Sequence, residues 1–165
     1  METVIRIREY DTRDNEDVVD LILSIQQEEY GIPISKEDQP DLFQIESFYQ
    51  NGNGNFWVAV FEDRVVGTIA LIDIGNGQVA LRKMFVKEEF RGKTLNTANL
   101  LLEKAKEWTR EKNVKEIFLG TTLKFVAAQR FYEKNGFQLI EKEELPESFP
   151  IMQVDRKFYK YYVPS

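Results

Sequence analysis

The stretch Ala128-Gln129-Arg130-Phe131-Tyr132-Glu133-Lys134-Asn135-Gly136-Phe137 begins inside a helix and ends inside a strand. Phe125, Ala128 and Tyr132 recur at spacings of three and four, which places them on one face of a helix predicted from Leu123 to Asn135. Gly136 stands where a left-handed residue closes such a helix. Phe137 then opens a short apolar run to Ile140 that predicts a strand. Spacing alone makes Tyr132 a core aromatic whose hydroxyl needs a partner.

Upstream lies a strand, a turn and a second amphipathic helix. Met84-Phe85-Val86 ends a strand, Lys87 to Thr94 is the turn, and Leu95, Ala98, Leu102, Ala105 and Trp108 form one apolar stripe on the helix that follows. A helix start presents unpaired amides and the positive end of its dipole, a ready site for phosphate oxygens. Arg91 and Lys93 add charge there, and Gly92 lets backbone approach a ligand, so a side chain at Gly92 is expected to interfere. An ordinary strand-to-helix connection with a turn glycine fits the same residues. No Gly-Lys-Ser/Thr follows an earlier glycine at the spacing of a nucleotide loop, which disfavours ATP and GTP.

The rest of the chain extends this alternation. Val4 to Arg8 reads as a strand, Asp11 to Glu29 as a helix with Val18, Leu21, Ile22 and Ile25 at helical spacing, and Ser35 to about Gln50 as a second helix opened by Ser35 and Asp38. Asn51-Gly52-Asn53-Gly54 is a turn. Phe56–Phe61, Val65–Ile74 and Gln78–Val86 read as strands, joined by hairpin turns at Glu62-Asp63-Arg64 and Gly75-Asn76-Gly77 and therefore antiparallel neighbours. Ile117–Leu119, Phe137–Ile140 and Met152–Tyr162 supply three more. The result is one domain over residues 1–165, a mixed α/β layer fold around a central sheet. The aromatic last strand, with Phe158, Tyr159, Tyr161 and Tyr162, either finishes the sheet or pairs with a second copy in a homodimer.

Composition narrows the chemistry. There is no cysteine, which excludes disulfides, thiolate zinc sites and acyl-cysteine intermediates, and no histidine, which removes the commonest base and the usual metal ligand. Proton transfer falls to Asp, Glu, Tyr, Lys or water, and no metal is expected. A net charge of -6 argues against nucleic acid and anionic membranes, so a polyanion needs a local nest. Arg82, Lys83, Lys87, Arg91 and Lys93 supply one, although such a run also fits a solvated surface. No signal-like or membrane-spanning run is present, and a cytoplasmic protein is expected.

Taken together, Val86 to Leu102 and Ala128 to Phe137 resemble the acetyl-CoA motif and following helix of the GNAT N-acetyltransferases. The second is the more specific, because Ala, then Phe-Tyr-Glu-Lys, then Gly-Phe at that spacing is a hallmark of the family. The tail, Leu145-Pro146 to Phe149-Pro150 and Val154 to Tyr159, is similar to a bacterial subgroup of unassigned substrate. The resemblance implies a mostly antiparallel seven-stranded sheet flanked by four helices. It implies direct transfer of an acetyl group from acetyl-CoA to a primary amine of a small molecule or peptide in a ternary complex.

On the residues of this chain it implies a CoA site of Met84, Phe85 and Val86 on the strand, Arg91, Gly92, Lys93, Thr94, Leu95, Asn96 and Thr97 in the turn and helix start, and Phe125, Ala128, Tyr132 and Lys134 downstream. Tyr132 matches the family tyrosine that protonates the leaving thiolate, and the Val86 amide is a candidate oxyanion donor. Two positions depart from the family form, since Thr94 and Asn96 stand where small residues are usual, and Phe125 stands where many relatives carry asparagine. For the base, Val79 to Arg82 offers no acid and Asp73 is the candidate. Glu29 and Tyr30 are candidates for the acceptor site. The acidic net charge leans toward cationic acceptors such as polyamines. A catalytically silent acyl-CoA-binding module is the competing reading, and a structural partner-binding domain a third.

Overall fold

In the computed structural model, residues 4–92, 94–152 and 154–164 are described. Three long strands, β2 (Asn55–Phe61), β3 (Arg64–Gly75) and β4 (Gln78–Val86), run antiparallel in sequence order. The turns between them carry positive φ at Glu62, Asp63, Asn76 and Gly77, the handedness that matches the twist of the flanking strands. β1 (Arg6–Glu9) adds to the outer edge of β2. After β4 the chain crosses over through α3 (Thr97–Glu111) and returns as β5 (Glu116–Thr121), parallel to β4. Then come α4 (Val126–Lys134), β6 (Gln138–Ile140) and β7 (Lys157–Tyr162).

The sheet holds seven strands in the order β1-β2-β3-β4-β5-β7-β6. The last strand therefore slots between β5 and β6, and both of its edges are bonded within the chain. It is not available for pairing with a second copy; the outer strands are β1 and β6.

Each face of the sheet is covered by helices. On one, Leu101, Leu102 and Ala105 of α3 pack on Val66, Ile69, Leu71, Val79, Leu81 and Ile117. On the other, Val18, Ile22, Leu42, Ile45 and Tyr49 pack on Phe56, Val58, Val65 and Ala70. Each buried aliphatic side chain contributes roughly 1.5–3 kcal/mol, so both helical layers are held by their apolar stripes. Trp108 joins the two ends of the first layer: its ring meets Trp57 edge-on and its indole N–H donates to the Asn53 carbonyl at 2.8 Å.

The two amino-terminal helices are shorter than their sequence suggests. Asp11 and Asp14 form a reciprocal cap around one 3-10 turn, α1 spans Asn15–Leu23, and Ser24–Glu29 continues as a wider π-helical turn. The helix expected from Ser35 to Gln50 reduces to α2 (Ile45–Phe48) after a 3-10 turn at Pro40–Phe43. Asp38 does accept from the Ser35 amide and hydroxyl, at 3.0 Å each. Pro40 stops propagation, because it has no amide to donate and forces Gln39 out of the helical region, to φ -129 and ψ 64. Among the described residues no helix is long and apolar enough to cross a membrane.

Candidate active site

β4 and β5 pair only from Gln78↔Glu116 to Ala80↔Phe118 and then part. Beyond that point β4 runs on to Val86 with no strand on its β5 side, and a cavity of about 330 Å³ fills the split. Leu81 to Val86 line one wall and Leu119 to Thr122 the other, while Phe125, Ala128 and Tyr132 of the α4 segment and Ala98 of α3 face in from one end.

A bulge shapes the β4 wall. The register jumps from Ala70↔Arg82 to Thr68↔Phe85, so Lys83 and Met84 together oppose Ile69. Lys83 takes a left-handed φ of 54° there, and its carbonyl accepts the Thr68 hydroxyl at 2.6 Å. Past the bulge, the Lys87 amide bonds the Val66 carbonyl on the β3 side. Strand alternation then turns the Val86 N–H and C=O to the opposite edge, toward the cavity.

Tyr132 is buried, 5% exposed, with its ring against Phe131, Phe137 and Tyr159. Its hydroxyl makes no hydrogen bond to a described residue and the side chain lines the cavity. Burial pushes the phenol well above its ordinary value, so it keeps its proton and acts as a donor throughout the physiological range.

The turn and helix start sit at the edge of this cavity. Gly92 has φ +102, and no atom lies within 4 Å of where a side chain would begin. The backbone conformation favours glycine there, and no protein atom among the described residues crowds the position. The helix begins at Thr97 instead of Leu95, because Asn96 caps it in the left-handed conformation at φ 57. Asparagine is the non-glycine residue that tolerates this conformation best, which explains how it stands where the family has a small residue. The Ala98 and Asn99 amides have no backbone acceptor among the described residues, and the Thr97 hydroxyl is buried without a partner. Open amides, an orphaned hydroxyl and free space at Gly92 fit a phosphate-bearing arm. Thr94 is exposed and Leu95 half-buried in the same turn. Lys93 lies outside the described residues.

Arg91 and Glu29 were expected in different roles, and the structure joins them. The guanidinium spans both Glu29 oxygens, at 2.5 and 2.7 Å, and its Nε donates to the Val86 carbonyl at 2.7 Å. The pair holds the Glu29 carboxyl below its usual range and raises Arg91. Arg91 thus ties the end of the first helical segment to the phosphate-side turn. Tyr30, next in sequence, lines the cavity and meets Phe125 edge-on, with ring centroids 4.7 Å apart. Several expected residues do not line the cavity: Glu29, the turn and helix-start residues Gly92, Thr94, Leu95, Asn96 and Thr97, and also Lys134 and Asp73. Lys134 is exposed at the far end of α4. Asp73 sits at the opposite end of β3, where its carboxylate accepts the Asn53 amide at 2.9 Å and the Gly75 amide at 2.8 Å.

The structure adds Gln26, Gln39, Asp41, Tyr49 and Asp155, which the sequence reading did not single out, and gives Arg82 and Lys83, read there as part of a basic nest, their surroundings. Lys83 Nζ donates to Gln39 at 2.5 Å and lies 3.6 Å from Asp41, whose carboxylate takes the Tyr49 hydroxyl at 2.5 Å. Gln39 and Gln26 exchange amide hydrogen bonds beside them. Arg82 and Asp155 also line the cavity. The available signal was Arg82-Lys83 itself, consecutive cations on a strand otherwise made of core residues. Regular alternation sends one of the two into the α3 layer, so only the bulge reveals where they go.

The matched family and relatives agree with this geometry. The profile of the Acetyltransferase (GNAT) family matches residues 19–137. An acetyltransferase of the GNAT family from Staphylococcus aureus Mu50 superposes with a TM-score of 0.94 at 42% identity, covering 98% of this chain and 100% of the other. The N-acetylaspartate synthetase of Danio rerio is 36% identical over 106 residues, 63% of this chain and 37% of that longer protein. The PaiA N-acetyltransferase of Thermoplasma acidophilum, solved in complex with coenzyme A, shares the fold at a TM-score of 0.74 and 19% identity, covering 96% and 99% of the two chains. On the match over residues 19–137 and the superposition at 42% identity, the chain belongs to the GNAT family of acetyltransferases.

Proposed function

We propose that this chain moves an acetyl group from acetyl-CoA directly to a primary amine of a small molecule, with both substrates held at once in the split between β4 and β5. The observation that carries the reading is Tyr132, a buried phenol that lines the cavity and has no hydrogen-bond partner among the described residues. Its neutral O–H donates to the departing thiolate. The Val86 amide, turned to the open edge of β4, is the donor for the developing oxyanion. Ala98, Asn99 and Thr97 at the helix start take the phosphate end, and the unpaired edge of β4 takes the extended arm between. Most of the acceleration comes from holding amine and thioester in register, with the proton donor adding to it. The name of the Danio rerio relative, N-acetylaspartate synthetase, supports a small amine as acceptor.

Tyr132→Phe tests the assignment. Turnover is expected to fall about 10²-fold or more, the scale of a positioned acid, while acetyl-CoA still raises the melting temperature as in the parent protein. Equal turnover in the variant removes Tyr132 from the chemistry. A melting shift without thiol release from any amine in the parent protein instead favours the silent binding module.

A further inference from the structure

We infer that the acceptor amine carries a carboxylate, and that Arg82 is the residue that seats it. The inference rests on the acetyl-transfer reading and names the substrate class of that same cavity.

The charges lining the cavity are unevenly spent. Arg91 is committed to Glu29 and the Val86 carbonyl. Lys83 is committed to Gln39 and Asp41. Arg82 is different: it is half-buried, it lines the cavity, and no carboxylate lies within 4 Å of it among the described residues. Its one described hydrogen bond runs from Nη2 to the Met152 sulfur at 3.1 Å, a weak acceptor for a guanidinium. A half-buried guanidinium whose one described hydrogen bond goes to a thioether sulfur keeps donors to spare, and its planar fork matches a carboxylate in two parallel hydrogen bonds.

The bulge brings a second cation, paired with Asp41, to the side of the sheet that carries Arg82. Arg82 lies two residues from Ala80, on the sheet face that packs with Phe118, Phe149 and Phe158. Lys83 would point to the other face of a regular strand, yet its ammonium reaches Gln39 and Asp41, in the segment that packs on the α1 side. Two adjacent cations thereby share one side of the sheet beside the cavity. Asp155 is the opposing charge. Its carboxylate holds the Met152 amide at 2.9 Å, and burial raises it while Arg82 pulls it down. A polyamine meets Arg82 as a like charge, so the acidic net charge of the chain is a poor guide to its acceptor. An amine with an acid group a few bonds away finds a partner for each end, the carboxylate at Arg82 and the amine toward Asp155 and the thioester.

Matched acceptors decide the matter. Thiol release is measured with L-leucine, β-alanine and L-aspartate, each beside its carboxyl-free amide, with spermidine as the polycation. The acids are expected to have the higher kcat/KM. In Arg82→Gln the KM for the acids rises roughly tenfold to a hundredfold, the worth of a charge-assisted hydrogen bond. The KM for the amides stays put, so the preference collapses, and Arg82→Lys recovers part of it. Spermidine or the amides as best substrates, or an acid preference unchanged in Arg82→Gln, overturns the inference and leaves acetyl transfer standing. If no amine releases thiol, a melting shift with L-aspartate alone is read in both proteins: a shift lost in Arg82→Gln upholds the anion seat while the transfer reading fails, and no shift ends both.

Discussion

Gly92 and Asn96 show how the phosphate-side turn is built from two left-handed residues four positions apart, at φ +102 and +57. An alanine at Gly92 meets no neighbour, so its whole cost is backbone strain, about 1–2 kcal/mol. Gly92→Ala is expected to lower the melting temperature by roughly 2–8 °C for that cost and to weaken acetyl-CoA binding by distorting the turn. Asn96→Gly removes one exposed hydrogen bond, from the Asn99 side-chain amide to Asn96 Oδ1, and relieves the left-handed strain, so the melting temperature stays close to the parent value. Thermal unfolding with and without acetyl-CoA checks both, and an unshifted Gly92→Ala refutes the strain account. At this scale the positions of Tyr132, Phe125 and Ala128 were legible, because helix spacing and the closing Gly136 fix where they stand, and Gly92 was legible as the turn residue before the next helix. Arg91 was legible as a residue of the turn but not in its bonding, since its partner Glu29 lies far away in sequence and meets it only in the folded chain.

Among the elements, β4 departs furthest from what alternation predicts. Its bulge buries Lys83, and burial brings that ammonium down to about 8 against the pull of Asp41, with Arg82 lowering it further. The ordinary lysine value in the unfolded chain is higher, so the folded state binds this proton less tightly. The penalty for burying the charge is therefore full below pH 8 and fades as pH rises toward 10.5. Relative to Lys83→Gln, the parent protein should gain about 1–2 kcal/mol of stability between pH 7 and 9.5. Denaturant melts of both proteins at the two pH values read the difference directly, and a difference that is flat or declining with pH sinks the assignment. The strands β2, β3 and β4 were readable because alternating apolar runs and two tight turns leave few other arrangements. The second helix was not, because Ser35 and Asp38 imitate a helix start that Pro40 then prevents from extending.

Across the whole molecule, the segment between β6 and β7 closes one side of the cavity through Phe149, Pro150, Met152 and Asp155. It is seated on β5 at Gly120. A side chain there would begin 2.6 Å from the Asp155 carboxylate and 3.0 Å from the Phe158 ring. Gly120→Ala is expected to push this segment outward, destabilise the fold by about 1–3 kcal/mol and raise the KM for the acceptor more than that for acetyl-CoA. Steady-state kinetics on both substrates, beside a thermal melt, tests the assignment; equal rises in the two KM values mean that the segment does not cover the acceptor. The order of elements was legible from end to end, since each change of apolar period marks a crossover or a turn. The insertion of β7 between β5 and β6 was not, because strand order in a sheet depends on pairings between segments distant in sequence.

The parting of β4 from β5 gives the sheet a third edge in addition to those of β1 and β6. An exposed row of unpaired amides and carbonyls ordinarily invites a strand from another chain and, with it, aggregation. This row faces a cavity of about 330 Å³ walled by α4 and by the segment after β6 instead of open solvent. A wall built around a small-molecule cavity thus also screens this edge from strands of other chains.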